Sequence, residues 1–299
     1  MTSHRARLAR TTAGAFTGIL ALLCQQAVHA QQVIRLYPAA PPGSDRWTIP
    51  ESIRHVPGGG AVVSNVRDPS ITAYLPNPAR ANGSGVVFLP GGGLRILALN
   101  RESEAIVGRL TAAGMAVFVL KYRVLQTTGQ PSAIPPTHLV IRNGNANPAP
   151  DDAALREVLT LASDDARTAL HMIRANAAKW HLDPARIGMM GASAGGGVAI
   201  AAELHPGSEP RPAFLATLYG PSLMDVSVAP DAPPLFMATE ADHGPVTEGL
   251  LALFSIWKAA GHSAELHVVQ TPRLEPSQWL ERFVDWLGEQ HILGKPEGH

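Results

Sequence analysis

The spacing of apolar residues changes period repeatedly along the chain, and each change marks an element. Apolar and polar positions alternate from Ser70 to Leu75, which predicts a half-buried strand. The run Gly85-Val86-Val87-Phe88-Leu89-Pro90 is continuously apolar, as strands covered on both faces are. From there strand and helix patterns take turns. Helical spacing spans Glu102 to Ala113, and a strand follows from Met115 to Leu120. A second helix is predicted from Ser163, its N-cap, to Lys179, with Ala166, Leu170 and Ile173 on one face. Next come a short strand at Ile187 to Met190, a helix at Gly195 to Leu204, and strands at Ala213 to Tyr219 and Pro234 to Thr239. The order closes with a helix at Val246 to Ala260, a strand at Glu265 to Val269 and a helix at Ser277 to Gln290. Such alternation predicts an α/β fold with a mostly parallel sheet and helices on both faces.

Two stretches lack this order. Residues 31–64 are rich in Pro and Gly and read as an extended N-terminal arm. The Pro/Gly/Asn-rich stretch from Thr127 to Pro150 reads as a long loop over the carboxyl ends of the strands, where such folds bind ligands. No internal repeat or linker divides residues 65–299, which are expected to form one domain.

Charge and composition narrow the function classes. Lys+Arg and Asp+Glu both number 24, so no basic field points to nucleic acid. Residues 1–30 read as a signal peptide: Arg5, Arg7 and Arg10 precede the apolar run Ala13 to Leu23, and Val28-His29-Ala30 supplies small residues for cleavage. The run is too short for an ordinary transmembrane helix, so a secreted or periplasmic protein without membrane attachment after cleavage is expected. Cleavage after Ala30 removes three basic residues and Cys24, the only cysteine, leaving 21 basic against 24 acidic side chains. No disulfide, thiol nucleophile or cysteine metal site then exists in the mature chain. The histidines show no paired ligand spacing, and Asp151-Asp152 and Asp164-Asp165 read as helix starts or exposed faces. No metal or cofactor is expected.

The chemistry centres on Gly191-Ala192-Ser193-Ala194-Gly195. Lying between a predicted strand and a small-residue helix, this segment has the context of a nucleophile elbow, with Ser193 exposed at a tight turn. Pro90-Gly91-Gly92-Gly93 directly follows the buried strand. Its backbone N–H groups at Gly92 and Gly93, with that of Ala194, suit an oxyanion hole. After the strand ending at Thr239 comes Glu240-Ala241-Asp242-His243-Gly244; Asp242, further into the loop, is the expected acid and Glu240 the second choice. The base should follow the last strand, yet Gln270 to Ser277 contains no histidine.

These motifs resemble bacterial secreted α/β-hydrolases of the acetyl-xylan-esterase-like and feruloyl-esterase-like branch. The likeness runs from Asn65-Val66 through Pro90 to Gly93, Leu120-Lys121-Tyr122-Arg123, Asp183 to Gly188 and Gly191 to Gly196. It continues through Pro233-Pro234-Leu235-Phe236 and Glu265-Leu266-His267 to Asp285-Trp286-Leu287. The resemblance implies an α/β-hydrolase fold and a cofactor-free Ser-Asp-His esterase acting on acyl groups of plant polysaccharides. It also implies a catalytic His in a Gly-Gly-His-Gly-Phe-like segment shortly after Glu-Leu-His, and that segment is missing here. His267 matches a non-catalytic strand histidine of the family. His243, beside Asp242, is the substitute base, with His138 in the long loop behind it. Three readings stand at this point: a serine esterase with a displaced base, acting on a small-molecule or polysaccharide ester; a degenerate homologue serving as a ligand-binding or accessory protein; and, third, a peptidase. Trp47, Trp257 and Trp279 are expected to pack, with a sugar-binding cleft as the alternative.

Overall fold

The computed structural model describes residues 32–45, 47–57, 59–129, 147, 153–205 and 211–294. The signal segment, His138 with most of the 127–150 loop, and Asp151-Asp152 lie outside the described residues. The first half of the fold contains β1 (Gln32–Arg35), β2 (Ser52–His55), β3 (Ala61–Ser64), β4 (Ser70–Tyr74), β5 (Gly85–Leu89), β6 (Ile96–Leu99), α1 (Arg101–Ala112) and β7 (Ala116–Lys121). The second half contains α2 (Ala153–Ala175), β8 (Ile187–Ala192), α3 (Ala194–Leu204), β9 (Leu215–Leu218), β10 (Leu235–Glu240), α4 (Pro245–Ala259), β11 (Ala264–Val269) and α5 (Leu280–Glu289).

Eight strands form the main sheet in the order β1-β4-β7-β5-β8-β9-β10-β11. From β7 to β11 the neighbours run parallel, while β4 is antiparallel to β7 and β1 to β4. The apolar run of β5 explains the layering. Val87 and Leu89 join the core beneath α2, α3 and α4, whereas Val86 and Phe88 join the core beneath α1 and α5. On the second face Phe236 meets Phe283 and Trp286 at ring centroids of 5.0 and 5.5 Å. Truncating one of these rings to alanine would cost about 3–5 kcal/mol, through lost burial and the cavity left behind.

Several local expectations are corrected. α2 begins at Ala153, ten residues before Ser163, whose buried hydroxyl donates to the Thr160 carbonyl from inside the helix. Asp165 is neither a helix start nor an exposed face. Its carboxylate is fully buried and accepts from Nε and Nη2 of Arg123, the backbone N–H of Arg123 and the Tyr37 hydroxyl. Arg123 Nη1 donates in turn to the Pro42 carbonyl at 2.5 Å, which ties the N-terminal arm to the end of β7. A lone charge in this position would be costly, so the pair is needed as a pair. The arm itself contributes β1 to the main sheet edge, and β2 and β3 join β6 in a second, antiparallel sheet. Trp257 and Trp279 are buried in the core, and Trp47 packs against it.

Candidate active site

The loops at the carboxyl ends of β5, β8, β9, β10 and β11 meet around one cavity of about 320 Å³. Ser193 enters it from the junction of β8 and α3, at φ 52° and ψ −128°. This is a backbone region that non-glycine residues rarely adopt, and it persists where the surroundings over-determine it. Here the Ser193 N–H donates to the Leu218 carbonyl at 2.8 Å, and the flanking glycines leave no room for side chains. A Cβ on Gly191 would stand 2.2 Å from the Gly195 carbonyl carbon, and one on Gly195 would stand 2.2 Å from the Leu89 oxygen. The elbow is therefore crowded on both sides and projects its serine.

The glycine loop after β5 borders the same cavity. Its carbonyls are occupied elsewhere: Gly91 accepts from Ala98 N–H, and Gly92 from Arg95 and Ile96 N–H, at 2.9–3.1 Å. The buried Tyr122 hydroxyl donates to the Pro90 carbonyl at 2.6 Å and fixes the loop's start. Gly92 stands at φ 146°, where a Cβ would lie 2.0 Å from the Ile96 oxygen. Among the described residues neither Gly92 nor Gly93 N–H has an acceptor. The Ala194 N–H, in the first turn of α3, has no intrahelical acceptor by construction. Three donors thus stand around Ser193 with no protein partner.

The loop after β10 separates the expected acid from the residue that lines the cavity. Asp242 is exposed, accepts from Gln270 Nε2 at 2.6 Å and is absent from the cavity wall. Glu240 and His243 do line it. The Glu240 carboxylate is largely buried, and both its oxygens are engaged. Oε1 accepts from the Leu274 N–H at 2.8 Å, and Oε2 lies 2.9 Å from His243 Nδ1. A carboxylate only accepts, so Nδ1 carries the proton, and in the neutral imidazole Nε2 is then the acceptor. The Thr247 hydroxyl donates to the Glu240 carbonyl at 2.6 Å and braces the strand end against α4. His267 lies elsewhere: it bonds Glu265 at 2.6 Å and stacks on Phe236.

Among the wall's other side chains, three that carry ionisable groups are not singled out in the sequence. Tyr219 follows β9, Glu102 lies in the first turn of α1, and Arg273 sits on the loop after β11. The Tyr219 hydroxyl donates to Glu102 Oε1 at 2.5 Å. Burial pushes the Glu102 carboxyl above the ordinary carboxylate range, against the pull of this hydrogen bond and of Arg273. The Tyr219 hydroxyl is pushed up as well, by burial and then by the nearby Glu102 charge. Nothing in the separate segments shows that they converge; Glu102 and Tyr219 are 117 residues apart.

A family model described as the alpha/beta hydrolase fold matches residues 153–270. No curated protein sequence matches the chain. Solved structures match most of it. An acetyl ester-xyloside bifunctional hydrolase from Caldicellulosiruptor lactoaceticus is 19% identical, with 88% of this chain and 97% of that one covered and a TM-score of 0.59. The carboxylesterase Cest-2923 from Lactobacillus plantarum is 18% identical over 82% of this chain and 99% of that one, with a TM-score of 0.58. A thermophilic esterase from Thermogutta terrifontis, solved with butyrate bound, is 19% identical over 83% and 96%, with a TM-score of 0.55. At such identities the likeness is one of fold: this chain has the α/β-hydrolase fold.

Proposed function

We propose that the protein hydrolyses carboxylic esters, with Ser193 as nucleophile, His243 as general base and Glu240 as the acid that orients it. One observation carries the reading: a buried carboxylate bonded to a partly exposed imidazole lines the same cavity as a serine on a nucleophile elbow and a glycine loop whose N–H groups have no acceptor among the described residues. The acid role thereby goes to Glu240 rather than Asp242.

The reaction follows from those placements. Ser193 Oγ attacks the ester carbonyl carbon while its proton passes to His243 Nε2. The carbonyl oxygen becomes an oxyanion, held by the N–H groups of Gly92, Gly93 and Ala194. Collapse breaks the bond to the alcohol oxygen, which leaves with the proton from His243. Water then attacks the acyl-serine with the same base, releasing the acid and restoring the hydroxyl. Glu240 holds Nδ1–H throughout and stabilises the imidazolium as it forms. A cavity near 320 Å³ falls at the lower end of small-ligand sites and suits a short acyl group. Acyl groups on a polysaccharide agree with the resemblance drawn from the sequence and with the acetyl ester-xyloside hydrolase among the structural neighbours.

The test is turnover of p-nitrophenyl acetate and of acetylated xylan by the purified chain and by Ser193→Ala. A loss of at least about 10³-fold with both substrates is expected. Equal turnover by the two proteins would sink the reading and favour a ligand-holding scaffold instead.

A further inference from the structure

Among the described residues, His243 is held at only one edge. Its Nδ1 meets Glu240, but 43% of the side chain remains exposed. One hydrogen bond leaves an imidazole free to tilt about that contact, and a general base needs its other nitrogen aimed at the serine. A second support stands beside it. The Tyr219 ring lies 6.3 Å from the imidazole, centroid to centroid, at 37° between planes.

Tyr219 is itself unusually constrained. It adopts φ 38°, a costly conformation for a bulky residue. Its N–H donates to the Ala238 carbonyl at 2.7 Å, while the preceding Leu218 carbonyl receives the Ser193 N–H. The residue is thus fixed to the strand that leads into His243 and to the elbow itself. Its hydroxyl then crosses to Glu102 on α1, a hydrogen bond to a carboxyl that burial has already partly stripped of water. In such low-dielectric surroundings a hydrogen bond is electrostatically stronger than in water.

We propose that the Tyr219–Glu102 hydrogen bond is a clasp that holds the Tyr219 ring against His243, making Tyr219 and Glu102 positioning residues for the general base. The inference rests on the reading of Ser193 and His243 given above. The clasp acts through the imidazole, so its loss slows chemistry more than it weakens substrate binding.

The experiment uses the full chain with p-nitrophenyl acetate. Tyr219→Phe keeps the ring and removes the tether; kcat should fall about tenfold while KM changes less than about threefold. Glu102→Leu should reproduce that loss, and Glu102→Gln, which keeps an acceptor oxygen, should lose less. Because both changes break one bond, Tyr219→Phe combined with Glu102→Leu should be no slower than the worse single variant. Thermal melts accompany the series, and the Gln/Leu contrast at Glu102 still decides the matter if Tyr219→Phe does not fold. A kcat for Tyr219→Phe within twofold of the parent, or additive losses in the double variant, would overturn the clasp while Ser193→Ala and His243→Ala remain inactive. An active Ser193→Ala would overturn the underlying reading instead.

Discussion

The loops after β10 and β11 leave neighbouring parallel strands, paired in register up to Glu240 and Val269, and border the same cavity. The family resemblance assigns the acid to the first loop and the base to the second. In this chain the end of β10 and the loop that follows carry both a carboxylate and an imidazole, three residues apart across a tight turn. The second carries Arg273 and contributes a backbone N–H, from Leu274, to the Glu240 carboxylate. In the proposed mechanism the second loop supports chemistry located on the first. If His243 is the base as proposed, the contrast teaches that a serine needs an oriented imidazole beside it, and that the loop supplying it is negotiable.

The sharpest way to break this comparison is at its most unequal point. His243→Ala should lower kcat for p-nitrophenyl acetate by at least about 10²-fold, the usual contribution of a positioned base. KM should change little, since the imidazole acts in the transition state. A change of only a few fold would remove His243 from the mechanism and return attention to the 127–150 loop.

Next in size is the carboxylate. Glu240→Gln should cost kcat at least about 10²-fold and up to about 10⁴-fold, because an amide in place of the carboxylate no longer dictates that Nδ1 carries the proton. Glu240→Leu adds a separate effect. It leaves the buried Leu274 N–H without its acceptor, which should lower stability by about 1–3 kcal/mol in a denaturant melt. Full stability in Glu240→Leu would mean that the second loop does not depend on the first.

The difference between these loops was only partly legible in the sequence. The strongly periodic elements were clear, because β5 is buried on both faces and β4 alternates. The elbow and glycine loop were legible too, since their crowding demands glycine at fixed offsets. Four-residue strands such as β2, exposed along its whole length, give no such signal. Ser163-Asp164-Asp165 imitates a helix start; only the fold reveals that Asp165 meets Arg123, 42 residues away. The sequence favours Asp242 over Glu240 because Asp242 lies further into the loop, whereas Glu240 ends the strand. Strand membership is what buries it and aims it at the cavity, and a one-dimensional pattern does not record which side of a strand end faces solvent.

Asp242 therefore supplies the smallest expected effect and the cleanest control. It lies two residues beyond Glu240, carries the same charge and, being further into the loop, is the acid that the sequence favours. Yet it is exposed, and its recorded partner is the Gln270 amide across the gap between the loops. Breaking one solvent-accessible hydrogen bond should change stability by no more than about 0.5 kcal/mol. With its carboxylate bonded to Gln270 rather than to the imidazole, Asp242→Asn should keep kcat within about threefold of the parent, since only an exposed, solvent-screened charge is lost. Steady-state rates for Asp242→Asn and Glu240→Gln, measured side by side, rank the two carboxylates directly. If Asp242→Asn proved the slower, the imidazole would have to reorient toward Asp242 when substrate binds, and the division of labour between the two loops would be reversed.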